Sequence, residues 1–101
     1  MKTEQYVDNH LWFAFREEAN EFLVRKIIAS VFKIEIAKID KMTNDHGNLL
    51  INYEYYKAKS GYKYILGINI EERLAKLKNI SDLYLAILFN RSLNIDVLIS
   101  D

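Results

Sequence analysis

Residues Asn52–Ile70 read NYEYYKAKSGYKYILGINI. This stretch holds five of the chain's seven tyrosines, divided by a Lys-Ser-Gly turn. Aromatic and β-branched residues suit a pleated, half-buried surface, and a short Gly-containing connection between two such runs reads as an antiparallel hairpin. Alternation then sorts the side chains. On the first strand Leu49, Ile51, Tyr53 and Tyr55 share one face, and Leu50, Asn52, Glu54 and Tyr56 the other. On the second, Tyr62, Tyr64, Leu66, Ile68 and Ile70 are opposed by Lys63, Ile65, Gly67 and Asn69. The Tyr-Leu-Ile face is expected to pack on helices, with phenol oxygens reaching the rim of the sheet. Tyr56 breaks that stripe among Lys57, Lys59 and Lys63 and is expected to be exposed.

On the N-terminal side, KIEIAKID (Lys33–Asp40) alternates as a strand, and KMTNDHGN (Lys41–Asn48) has loop chemistry. Before it, Ala19, Phe22, Leu23, Ile27 and Val31 follow helical spacing, which predicts a helix over 16–31 with its acids first and Arg25-Lys26 later. The run LWFAF (Leu11–Phe15) is apolar throughout, so periodicity leaves strand and helix equally open.

On the C-terminal side, EERLAKLK (Glu71–Lys78) reads either as a short helix or as a charged continuation of the hairpin. Ser81 offers a cap to a buried helix, DLYLAILFNRSL, which Asn94 can end in the left-handed conformation. IDVLIS (Ile95–Ser100) closes as a strand with Ile95, Val97 and Ile99 on one face, able to lie parallel to a neighbour. The order predicts one α+β domain over 1–101, a mostly antiparallel or mixed sheet packed against two main helices.

Composition narrows function. Fourteen basic residues balance fourteen acidic ones. A phosphate-binding surface normally needs a cationic excess, so nucleic acid is not the leading partner. The absence of cysteine removes disulfides, thiolate metal sites and Cys nucleophiles, and suits a reducing cytoplasm. The opening MKTEQYVDNH lacks the apolar core of a secretory signal, and no apolar run approaches the ~20 residues of a membrane span. Three scattered glycines build no phosphate cradle, and no hydroxyl sits in a nucleophile turn. Two histidines, His10 and His46, make no spaced ligand set, so neither metal nor cofactor is expected, and the chain reads as no enzyme.

What remains is surface chemistry. Asp40, Asp45, Glu54, Glu71 and Glu72 fall in loops, on strand exteriors or at strand ends, and with Glu17, Glu18 and Glu21 could form an acidic docking surface. Dispersed, solvated charge is the plainer reading of the same residues. Candidate partner contacts are Asp45, Glu54, Tyr56, Glu71 and Glu72, with Tyr62 and Tyr64 at the rim.

The ending ISDLYLAILFNRSLNIDVLISD (Ile80–Asp101), a capped buried helix running into a Val/Ile strand, follows the tyrosine-rich hairpin in a cysteine-free chain of 101 residues. In size and organisation this resembles the immunity proteins of bacterial contact-dependent growth inhibition and related polymorphic toxin systems. The resemblance implies a non-catalytic inhibitor in a one-to-one complex with a cognate toxin domain, often a nuclease. A small nucleic-acid-associated regulator using the Tyr/Lys hairpin is the alternative, and a homo-oligomer formed through the hairpin edge is a third reading.

Overall fold

Leu11, Phe13 and Phe15 are buried while Trp12 and Ala14 between them are only partly so, which makes LWFAF a strand. The structure, a computed structural model, describes residues 9–42 and 49–99. Strand β1 (His10–Phe15) is followed by helix α1 (Glu21–Phe32), a 3-10 turn (Ile36–Lys38) and strand β2 (Ile39–Lys41). Strands β3 (Ile51–Lys57) and β4 (Tyr64–Ile70) form the expected hairpin, with Gly61 at its tip at φ 75°. Helices α2 (Glu72–Lys78) and α3 (Asp82–Leu93) lead into β5 (Val97–Ile99).

The five strands form one sheet in the order β2-β3-β4-β1-β5. Three pairings are antiparallel, while β2 runs parallel to β3, Ile39 opposite Ile51. The domain is therefore α+β with a mixed sheet and three helices, a short one lying between the two main ones.

Several boundaries differ from the sequence reading. Helix α1 starts at Glu21, not at residue 16. Phe15 still belongs to β1, the Arg16 amide donates to the Asp96 carbonyl (3.1 Å), and the Asn20 side chain accepts from the Leu23 amide (3.2 Å), capping the helix there. The strand expected over Lys33–Asp40 is mostly a turn. Lys33 ends α1 in the left-handed conformation at φ 57°, and the Ile34 amide donates back to Ala29, so extended pairing begins only at Ile39. The last strand lies antiparallel to β1 rather than parallel to a neighbour, and the parallel member is β2.

All three helices feed one core. Val24, Ile28 and Phe32 of α1, Leu74 and Ala75 of α2, and Leu85, Ala86 and Phe89 of α3 join Phe13, Phe15, Ile51, Tyr53, Leu66 and Ile68 of the sheet. Phe89 meets Phe13 and Phe15 edge-on, at 5.2 and 5.6 Å between centroids. Such pairs add about 0.5–1.5 kcal/mol each beyond their burial. Ser81 caps α3 through the Tyr84 amide, as its sequence position anticipated, and Asn94 ends it at φ 55°.

Candidate functional site: the uncovered face of the sheet

The core takes alternate residues of every strand, and the residues between them point the other way. No described helix covers that second face, and Trp12, Ala14, Tyr56, Ile65 and Leu98 lie outside the core cluster. The strand registers place them in rows. Leu98, Ala14, Ile65 and Tyr56 follow one another across β5, β1, β4 and β3. The next row is Trp12, Gly67 and Glu54, and the one beyond it His10, Asn69, Asn52 and Asp40.

The apolar row makes a trough of about 380 Å³. Partly buried Ala14 and Ile65 form its floor, and Tyr56 (48% exposed) and Leu98 (50% exposed) stand at its ends. Trp12 closes one side. Its ring lies so tightly over Gly67 that a Cβ there would stand 2.5 Å from Cζ3, and His10 stacks on it at 5.0 Å. A side chain at position 67 is thus excluded by the ring, which is the close approach that a glycine inside a strand signals. At the hairpin end, Lys57, Lys59 and Lys63 are exposed and make no ion pair among the described residues.

The opposite, core-side face uses the hairpin tyrosines as the sequence suggested. Tyr53 is buried, and its hydroxyl donates to Glu21 Oε1 at 3.0 Å; Lys41 Nζ bridges the same carboxylate at 3.1 Å. Burial first, and the bond to Glu21 second, push the Tyr53 phenol up to about 12. The Ala19 amide donates to the Tyr55 hydroxyl at 2.8 Å, Tyr64 stacks on Tyr55 at 6.0 Å, and burial raises the Tyr55 phenol as well. These bonds tie the entry of α1 to β3.

The candidate contacts therefore separate. Glu54 and Tyr56 lie on the uncovered face, Tyr62 is half-buried before β4, and Tyr64 belongs to the helix-covered side. Glu71 caps α2 by accepting from the Leu74 amide (3.1 Å), and Glu72 pairs with Lys76 (3.2 Å). Asp45, like His46, lies outside the described residues. Asp40 and Glu21 are engaged by Arg25 and Lys41, so the acids are spread over several local pairs rather than gathered on one surface. Trp12, Ala14, Ile65 and Leu98 were not singled out from sequence, although strand alternation through 11–15 would have found the first two.

Among the described residues, no three His, Cys, Asp or Glu side chains gather where they could hold a metal ion, and no helix is long and apolar enough to cross a membrane. No family model matches the chain, and neither a curated protein nor a solved structure is found to match it.

Proposed function

We propose that this protein is a non-catalytic immunity protein, which binds a cognate bacterial toxin domain one to one and neutralises it with the uncovered face of its sheet. The observation that carries the reading is the apolar row Leu98–Ala14–Ile65–Tyr56 flanked by Trp12, a patch of aromatic and aliphatic surface that no described helix packs against. Aromatic side chains beside an aliphatic floor are what an apolar side chain of a protein partner docks against. Glu54 on that face and the exposed lysines at the hairpin end offer a partner charge of both signs to orient on.

Capture by the tagged protein from its source cells, at low and moderate salt, names the partner. The reading requires that partner to arrest growth when expressed alone and to be silenced when this chain is co-expressed. Co-expression of a Tyr56→Ala, Leu98→Ser variant is expected to leave growth arrested. A harmless partner, or rescue undiminished by the double variant, contradicts it.

One observation favours the nucleic-acid alternative: at the hairpin end, where Tyr56 is exposed, Lys57, Lys59 and Lys63 are exposed too and form no ion pair among the described residues. In that case the captured material is RNA or DNA and is lost steeply as salt rises.

A further inference from the structure

A second surface lies on the other side of the molecule. Helices α1 and α3 pack side by side and leave a cleft of about 290 Å³ between their outer flanks. One wall is Leu23, Ile27 and Val31, spaced by four along α1; the other is Leu88 and Leu93 of α3. Phe22 of α1 and Tyr84 of α3 are exposed as well.

We infer that this cleft is a docking site for an acidic amphipathic helix of a partner protein, separate from the sheet face. From Leu23 to Val31 the α1 wall rises eight residue steps, about 12 Å at 1.5 Å per residue, or roughly two helical turns. Two apolar ridges with a groove between them receive the i, i+4, i+7 side chains of a third helix. The volume falls just short of the ~300 Å³ at which pockets for small organic ligands begin, and its lining is aliphatic apart from Lys26, Ser30 and Ser92.

Charge decides which helix fits. No carboxylate lines the cleft. Lys26 stands in its wall, Lys33 caps α1 at one end, and Arg91 lies three residues beyond Leu88 on α3. None of these three cations is in an ion pair among the described residues. Lys26 rests over the Phe22 ring at 5.6 Å, where its charge remains available to a partner. The carboxylates of the two helices, Glu21 and Asp82, sit in their first turns, outside the lining. A second copy of this chain is disfavoured, because two such surfaces face to face would bring Lys26 and Arg91 against their own copies.

The test is selection from a phage-displayed library of helical peptides, apolar at i, i+4 and i+7 and random elsewhere, against the full chain. The expected binders carry net negative charge and perturb the NMR signals of Leu23, Ile27 and Leu88. Their affinity is expected to fall about tenfold or more in a Lys26→Glu, Arg91→Glu variant that keeps the wild-type circular dichroism. Binders without an acidic bias, binders indifferent to the charge reversal, or none at all overturn the inference. So does a Lys26-dependent association with phosphatidylserine vesicles in place of peptide binding, or a dimer abolished by Leu23→Asp. Tyr56 and Leu98 lie on the opposite face, so failure here leaves the proposed function untouched, and the reverse also holds.

Discussion

Gly67 and Trp12 have the most direct consequence for a single side chain. Gly67→Ala places a methyl group inside the indole, so the ring must lift off the sheet. The expected result is a red-shifted Trp12 emission, the chain's one tryptophan, with a stability loss of about 1–3 kcal/mol in chemical denaturation, as overpacking costs elsewhere. Tyr53 carries a pH dependence. Its phenol titrates near 10 when unfolded and at about 12 when folded. Between those values the unfolded chain has released a proton that the native chain retains, so stability is intact below pH 10 and falls as pH rises through 12. The loss is on the order of 2 kcal/mol, and Tyr53→Phe is expected to flatten that alkaline limb in urea titrations at pH 9, 10 and 11. The burial of Tyr53 and the exposure of Tyr56 were legible from alternation alone. The Trp12–Gly67 contact was not, because it joins residues 55 positions apart through a strand pairing that no local pattern records.

Elements were legible wherever a local signal had no competitor. Ser81 before an apolar run, Asn94 after it, and two Tyr/Ile runs around a Gly-containing turn all led to the elements observed. The errors came where tertiary pairing outbid local pattern. Residues 16–20 share the composition of a helix start, but the Arg16–Asp96 backbone bond prolongs the sheet register past Phe15 and delays the helix to the Asn20 cap. Ile34 and Ile36 alternate as a strand would, yet the left-handed Lys33 turns the chain back before pairing with β3 can begin. Substitution separates the two readings of α1. Asn20→Ala is expected to cost about 1 kcal/mol, as lost N-caps do. Glu18→Gly is expected to cost well under the ~1 kcal/mol that glycine costs inside a helix, since residue 18 lies before the first turn. Thermal unfolding of the two variants reads the difference. The charge reversal at Glu71 that an acidic docking surface invites would also remove the α2 cap, so it reports on folding as well as binding.

For the molecule as a whole, one asymmetry stands out: α1 and α3 pack on one face of the sheet, with Leu74 and Ala75 of α2 joining the same core, and the described residues place no helix on the other. The two faces should therefore answer differently to truncation. Phe89→Ala, at the contact of α3 with Phe13 and Phe15, is expected to cost about 3–5 kcal/mol. Tyr56→Ala and Leu98→Ser, half-exposed at the ends of the trough, are expected to stay within about 0.5 kcal/mol of wild type and to act on binding alone. The α+β class and its division between helices and hairpin could be read from the sequence. The apolar row on the uncovered face could not, apart from Tyr56, because it is assembled from single residues of four strands. The most direct measurement of the central claim is hydrogen exchange of the chain alone and in complex with its captured partner, at equal concentrations. New protection is expected in β3, β4 and β5 around Tyr56, Ile65 and Leu98, and its loss with the Tyr56→Ala, Leu98→Ser variant. A stable complex that leaves those strands unchanged would contradict the claim.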